Sequence, residues 1–212
     1  MRGEAYDEQG SARRRDILRA ATETFARSGY FESSVERVAA VAGVSTPAVY
    51  YHFGGKEGLL AAALHAALDG FTAEVAAARP SRVDRDADSV SVVIRAGWDW
   101  WRTHPDAARL VIRYSEGPTA RGSHIRRDWE QWYMDSAHEY TSPAMSAHRP
   151  MTRDSDAVNS LTIRLVLDVM LDGQAANLPG QPFEGTAADN LAIAAQGLCV
   201  RLISGMHTDA PD

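Results

Sequence analysis

The fold of this chain is decided by residues 43–53, which read GVSTPAVYYHF. Gly43 supplies the positive φ that ends one helix, Ser45 or Thr46 caps the next, and Pro47 falls in its first turn, where a missing N–H costs nothing. The second helix has little more than one and a half turns and is marginal in water by itself. The rest of the protein must hold it with its N-terminal end outward, as helices that enter a DNA major groove are held.

The residues before this stretch complete a helix-turn-helix. Ser33 or Ser34 caps a helix that runs to about residue 42, and its inner side is apolar. Val44 and Val49 join the two helices. A longer helix is predicted upstream over residues 11–28, and another begins downstream at Lys56 and continues to about residue 78.

The stretch from about Arg14 to Leu64 resembles the DNA-binding domain of the TetR family of bacterial transcriptional regulators. Matching positions recur at fixed spacing over some fifty residues. They are Ala20-Ala21, Phe25, Gly29-Tyr30, Ser34-Val35, Val38-Ala39, Ala42 to Ser45, Val49 to Phe53, Lys56-Glu57 and Leu59-Leu60.

The resemblance implies two groups of DNA contacts. Bases are approached by Thr46, Pro47, Ala48 and Tyr51. Thr46 hydrogen-bonds a base edge, and Pro47 and Ala48 touch thymine methyl groups. The positions that match phosphate contacts in the family are Ser34, Tyr50, His52 and Lys56.

Two further groups of residues in this region have expected roles. Arg13, Arg14 and Arg15 either contact the DNA backbone or form a solvated helix start. Phe53 is expected to fill core, whereas Tyr50 is expected to pack its ring and point its hydroxyl outward.

The remainder of the chain predicts helices and no strand. Helices are expected at about residues 89–103, 106–114, 124–147, 154–177 and 186–206, with turns at Gly117-Pro118 and Gly122-Ser123, and Pro143 kinking or ending the third of them. The fold class is therefore all-α. Three segments are predicted: a flexible N-terminal arm (1–10), the helix-turn-helix DNA-binding domain (11–55) and a helical ligand-binding and dimerisation domain (56–212).

Apolar seams on the last two predicted helices suggest a homodimer, since the family pairs these helices across a two-fold axis. Such symmetry sets two recognition helices about 34–36 Å apart and calls for a palindromic operator. The alternative is that the seams pack only within their own subunit. The seam residues are Leu161, Leu165, Val169, Leu191, Ala195, Leu198 and Leu202.

Large aromatic residues concentrate in the central helices, as in an apolar pocket with a few polar tips. Each one taken singly is equally typical of an ordinary helical core. The family's habit of binding a small-molecule effector favours a pocket. Its predicted lining is Trp98, Trp101, Tyr114, Trp129, Trp132 and Tyr133.

Charge is unevenly distributed along the chain. Residues 1–60 hold eight basic and eight acidic side chains, so the net charge of −6 resides in residues 61–212. A neutral DNA-binding head on an acidic body predicts binding with moderate salt dependence. The sequence shows no signal peptide and no membrane partner is expected, and the single cysteine, Cys199, fits a cytoplasmic protein.

Catalytic signatures are lacking in the sequence. The seven histidines have no metal-ligand spacing, Gly54-Gly55 is not a phosphate loop, and no Gly-x-Ser-x-Gly elbow occurs. We therefore expect no enzyme, no cofactor and no metal site. The sequence predicts a ligand-responsive regulator, most simply a repressor with a double-stranded DNA operator and a small-molecule effector. The alternative is a TetR-like ligand-binding or protein-interaction protein without specific DNA binding.

Overall fold

The computed structural model describes residues 2–80, 87–114 and 119–145, together with ten helical residues between 157 and 197. Seven helices have defined bounds: α1 (Arg2–Ser28), α2 (Val35–Ala42), α3 (Thr46–Phe53), α4 (Lys56–Ala78), α5 (Ala87–Thr103), α6 (Pro105–Arg113) and α7 (Ala120–Met145). The described part of the chain contains no strand, so the predicted all-α class is confirmed.

The chain divides into two compact units. The first unit comprises Met1–Asp69 and Asp106–Arg127, and the second comprises Gly70–Pro105 and Asp128–Asp212. Helices α4 and α7 each contribute residues to both units. The unit that carries the helix-turn-helix thus also includes the start of α4, nearly all of α6 and the start of α7.

The core of the first unit is built from one apolar face of each helix. The periodic spacing predicted from the sequence is what brings these side chains inward. The fully buried members are Ile17, Ala20, Ala21, Phe25 and Ala26 of α1, Val38 of α2, Val49 of α3, Leu59 and Ala63 of α4, and Leu110 of α6.

Phe71 of α4 meets four other aromatic rings in the described part of the second unit. Its ring stacks on Trp101 at 5.0 Å and meets Trp100, Trp129 and Tyr133 at centroid distances of 6.1, 5.7 and 5.6 Å. Aromatic rings at these separations contribute pairwise attraction beyond their buried area. We call Phe71, Trp100, Trp101, Trp129 and Tyr133 the aromatic cluster.

Helix α4 is the one helix of the described residues long and apolar enough to cross a bilayer by length and composition. Its leucines and Phe71 are instead buried inside the two units, as in the core helix of a folded domain.

Two helix starts differ from the sequence prediction. Helix α1 begins at Arg2, so the residues expected to form a flexible arm (1–10) are helical from position 2; they contain no proline and are rich in good helix formers. Helix α7 begins at Ala120, and the turn predicted at Gly122-Ser123 is helical. The reason is a cap that the sequence analysis missed, in which the Gly122 N–H donates to Thr119 Oγ1 at 3.1 Å. Helix α7 also continues past Pro143 to Met145.

Candidate nucleic-acid interface

Helix α2 is fixed at both ends by residues the sequence identified. Ser34 caps its start with extended backbone, and its Oγ accepts the Arg37 N–H at 3.2 Å. Gly43 ends it at φ +66°, and the Val44 N–H bonds back to the Ala39 carbonyl at 3.0 Å. Since this left-handed conformation strongly favours glycine, the direction in which α3 departs is set locally.

Helix α3 is anchored through a single buried side chain, Val49. Ser45 precedes its first residue, Pro47 lies in its first turn, and Gly54 ends it at φ +71° with its N–H on the Tyr50 carbonyl at 2.8 Å. The remaining side chains of this short helix keep contact with solvent. This is the arrangement that a helix presented to another molecule requires.

The residues predicted to approach bases lie on this uncovered surface. Pro47 is exposed, and Thr46 and Ala48 are half-buried. Tyr51 is 87% exposed, and its ring meets His52 edge-on at 5.2 Å. None of the four side chains is committed to the core.

The predicted phosphate contacts are also accessible, but two of them already have partners. Lys56 Nζ donates to the Phe31 carbonyl at 3.3 Å and lies 4.5 Å above the Tyr30 ring. Burial and the neighbouring Glu57 carboxylate raise the pKa of Tyr30. Lys56 therefore ties the start of α4 to the turn before α2 while two of its three ammonium protons stay available.

Ser34 is the second residue with an existing partner. The pKa of Glu36 is lowered by hydrogen bonds that its carboxylate accepts from the Glu36 backbone N–H and from the Ser34 side chain. Glu36 is exposed, so a carboxylate lies beside a side chain predicted to contact phosphate. Of the other two predicted phosphate contacts, Tyr50 is exposed and His52 half-buried.

Two features of the interface were missed by the sequence analysis. Ser45 is exposed and its side chain makes no cap hydrogen bond, so its hydroxyl is available beside the α3 N-terminus. Arg14 places its guanidinium 5.3 Å over the Phe53 ring, at the other end of α3. The run Arg13–Arg15 drew attention to this arginine, but sequence spacing carries no signal for its contact with Phe53.

The predicted pocket residues do not form one group. Trp101, Trp129 and Tyr133 meet in the aromatic cluster, and Trp98 is buried in the same unit. Trp132 is 51% exposed. Phe71 and Trp100 belong to the cluster, although the sequence analysis did not include them.

Tyr114 belongs to the first unit, whereas the other aromatic residues of the predicted pocket belong to the second. Its hydroxyl donates to the Phe25 carbonyl at 3.5 Å, and burial raises the pKa of Tyr114 to about 12. Helical periodicity had placed Tyr114 among the central aromatics, but the division of the chain assigns α6 to the DNA-binding unit.

Two of the predicted dimer residues are described by the structure. Leu161 and Leu165 are helical and 70% and 45% exposed, whereas Ile163 between them is buried. Ile163 is thus turned inward, while the two leucines, four positions apart, are uncovered. The other predicted dimer residues, Val169, Leu191, Ala195, Leu198 and Leu202, lie outside the described residues.

Comparisons with known proteins agree with this geometry. Residues 17–63 match the family model described as bacterial regulatory proteins, tetR family. The chain is 27% identical over 168 residues to the HTH-type transcriptional repressor Rv1474c of Mycobacterium tuberculosis, an alignment covering 79% of this chain and 83% of the repressor. It is 35% identical over 100 residues to the HTH-type transcriptional regulator RutR of Escherichia coli K12, covering 47% of this chain and only 46% of that relative's length.

Solved structures share the whole architecture. The fatty acid degradation regulator FadR from Bacillus halodurans superimposes with a TM-score of 0.70 over 91% of this chain and 95% of its own, at 13% identity. The regulator FadR from Bacillus subtilis, solved in complex with stearoyl-CoA, gives 0.68 over 90% and 97% at 16% identity. The helix-turn-helix, together with the match of residues 17–63 to regulatory proteins, identifies a DNA-binding transcriptional regulator. Residues 17–63 are similar to the DNA-binding domain of the TetR family of these bacterial regulators.

Proposed function

We propose that this protein is a repressor that binds a palindromic operator as a homodimer and is released by a small, largely apolar molecule. The observation that carries the proposal is the exposed leading surface of α3, where Val49 alone is anchored and Tyr51 projects into solvent. A helix held in this way gains little from its own packing. Its placement is explained by contact with DNA.

The proposed DNA contacts divide by chemistry. Thr46, Pro47, Ala48 and Tyr51 approach base edges, while Ser34, Tyr50, His52 and Lys56 hold phosphates. The side chains on α3 are short or aromatic, without a long cation at its start. Operator choice is therefore proposed to rely on thymine methyl contacts and on DNA shape as well as on direct hydrogen bonds.

The homodimer is supported by the two uncovered leucines. Leu161 and Leu165 lie one helical turn apart, and a partner subunit would remove both from water. A two-fold axis at this helix pairs two recognition helices with the two halves of a palindrome. The remaining seam residues are proposed to complete the same interface.

Release by an effector is supported by the chemistry of the second unit. The aromatic cluster offers flat apolar surface, and the structural relative FadR of Bacillus subtilis was solved with stearoyl-CoA bound. Such a molecule weakens operator binding if it binds better to the conformation whose two heads do not match successive major grooves. We further propose that the DNA-binding domain spans 11–55, that the ligand-binding and dimerisation domain spans 56–212, and that the protein acts in the cytoplasm.

Mobility shift of the DNA upstream of the protein's own gene tests the function. We expect a discrete complex with this DNA that resists excess random DNA and is lost in Tyr51→Ala. Because Tyr51 is almost fully exposed, the variant should melt at the temperature of the unchanged protein. Trp132→Ala, an exposed aromatic residue of the second unit, is the matched control and should bind as the unchanged protein does.

Two outcomes of this experiment contradict the proposal. Binding that does not distinguish upstream from random DNA favours a TetR-like protein without specific DNA recognition. Equal binding by Tyr51→Ala and the unchanged protein removes α3 as the reading element.

A further inference from the structure

The interior of the second unit contains indole N–H groups that lack acceptors. Trp98 and Trp101 are 2% and 0% exposed, and neither Nε1 has a hydrogen-bond partner among the described residues. A donor removed from water without an acceptor is costly, and native structures rarely leave one so. Two such donors three positions apart on α5 call for a common explanation.

The indole N–H of Trp129, in the same unit, does have a hydrogen-bond acceptor within the protein. Its Nε1 donates to Thr72 Oγ1 at 3.1 Å, although its ring lies in the same aromatic cluster as Trp101. Apolar packing at positions 98 and 101 needs no nitrogen, since phenylalanine or leucine fills a core without one. The nitrogens of Trp98 and Trp101 therefore indicate an acceptor that is not a described part of the protein.

Arg79 adds a donor of the same kind to this unit. Its Nη2 donates to Ser136 Oγ at 3.0 Å and its guanidinium lies 5.0 Å from the Tyr140 ring centre, while its buried Nε has no partner among the described residues. All three nitrogens are donors, so the missing group is an acceptor in each case. The positive charge of Arg79 makes an anionic acceptor acceptable in the unit as well as a neutral one.

We propose that the second unit binds an effector with an apolar body and a carbonyl or carboxylate oxygen, and that this oxygen accepts the indole N–H groups of Trp98 and Trp101. The inference rests on the proposed effector-responsive function and adds the chemistry of the ligand. Ring surface from Phe71 and Trp101 packs against the apolar body. The two indoles then select against molecules of the same shape that lack the oxygen.

The test uses probes that differ in the oxygen alone. One set is 2-acetylnaphthalene, 2-naphthoate and 2-ethylnaphthalene, and a smaller set is acetylcyclohexane, cyclohexanecarboxylate and ethylcyclohexane. Binding to the full-length protein without DNA is measured by titration calorimetry. In at least one set we expect the ketone or the carboxylate to bind about tenfold more tightly than the ethyl compound. Comparison of ketone with carboxylate then tells whether the acceptor is neutral or anionic.

Substitution locates the preference within the protein. Trp98→Phe and Trp101→Phe should each reduce the advantage of the oxygen to about twofold or less, whereas Trp129→Phe, whose nitrogen already has Thr72, should keep it. Where a phenylalanine variant does not fold, β-(3-benzothienyl)alanine at the same position keeps the ring size and lacks the N–H. In the unchanged protein labelled with ¹⁵N-tryptophan, the Trp98 and Trp101 indole protons should move downfield with the ketone or carboxylate and stay in place with the ethyl compound.

The proposal is overturned if no probe of either set binds, if the ethyl compounds bind as well as their partners, or if Trp129→Phe loses the preference as fully as Trp98→Phe and Trp101→Phe. These measurements contain no DNA. Failure of operator binding with the oxygen preference intact therefore contradicts the regulator function and leaves the ligand chemistry standing.

Discussion

Glu36 is the residue whose charge most directly opposes the proposed DNA interface. Its lowered pKa keeps it ionised beside Ser34 at neutral pH. We expect Glu36→Gln to tighten binding to upstream DNA about two- to fivefold at 50 mM salt, because one repulsive charge next to a phosphate is removed. The gain should shrink as salt rises towards 300 mM. Fluorescence anisotropy with labelled DNA measures both.

The matched control for this substitution is Asp135→Asn, an exposed acidic residue of the second unit. It should change affinity much less than Glu36→Gln. An equal gain from the two would mean that net charge, and not the position of Glu36, governs the effect.

Tyr114 gives the first unit a pH dependence at the alkaline end. Burial raises the pKa of its hydroxyl to about 12, against about 10 in an unfolded chain. Between these two values the folded state retains a proton that the unfolded state has lost, so folding stability falls as pH rises from about 10 to 12. At pH 7, Tyr114→Phe should be about 0.5–1 kcal/mol less stable than the unchanged protein, because the variant lacks the hydrogen bond to the Phe25 carbonyl. Between pH 10 and 11.5, the variant should lose less folding stability than the unchanged protein does.

Urea unfolding at pH 7, 10 and 11.5 measures this difference. Tyr50→Phe, the same substitution at an exposed tyrosine, is the control. Parallel loss of stability in Tyr114→Phe and the unchanged protein above pH 10 would contradict the assignment.

At the scale of the helices, substitution of Gly43 and of Gly10 by alanine is expected to change folding stability in opposite directions. A Cβ at either position meets no atom within 4 Å, so only backbone conformation decides the cost. Gly43 has φ +66°, whereas Gly10 lies within helix α1. We expect Gly43→Ala to destabilise by about 1 kcal/mol and Gly10→Ala to stabilise by up to about 1 kcal/mol.

Thermal and urea unfolding of the two glycine variants check this prediction. Destabilisation by Gly10→Ala would contradict the gain in helix stability expected at position 10. An unchanged midpoint for Gly43→Ala would mean that the turn between α2 and α3 relaxes without cost.

The helix bounds near the turn were predictable because local chemistry fixes them. Ser34, Gly43 and Gly54 act on backbone groups within four residues of themselves, so the sequence contains the whole cause. The start of α7 was missed although its cause, the Thr119 cap, is equally local, because Gly122 next to a serine was interpreted as a turn.

The candidate sites were less predictable, because tertiary packing decides them. Periodicity identifies Trp98 and Trp101 as inward-facing, but it does not tell that Phe71 is the centre of the cluster or that Tyr114 packs beside Phe25. The contact of Arg14 with Phe53 joins residues far apart in sequence and has no local signal. The outward N-terminal end of α3 was inferred from the shortness of the helix, whereas its individual DNA contacts were inferred only through the family resemblance.

At the scale of the whole molecule, the two uncovered leucines set a prediction for assembly. Leu161→Glu combined with Leu165→Glu should convert the proposed dimer to a monomer, since a partner would have to bury two carboxylates. Light scattering after size exclusion measures the mass. Operator affinity should fall by at least about tenfold, because the two half-sites are then bound separately.

Val92→Glu is the control for the leucine substitutions, because it adds the same charge to an exposed apolar position on α5. Its mass should equal that of the unchanged protein. A dimer that survives both leucine substitutions would contradict the proposed interface.

All five tryptophans of the chain, at positions 98, 100, 101, 129 and 132, belong to the second unit. Fluorescence excited at 295 nm therefore reports on the second unit alone, because the unit with the helix-turn-helix contains no tryptophan. Heating the protein while recording emission and far-ultraviolet circular dichroism together separates the melting of the two halves without any added label. In the same instrument, a change of tryptophan emission on adding operator DNA would show that DNA binding to the first unit alters the surroundings of tryptophans in the second.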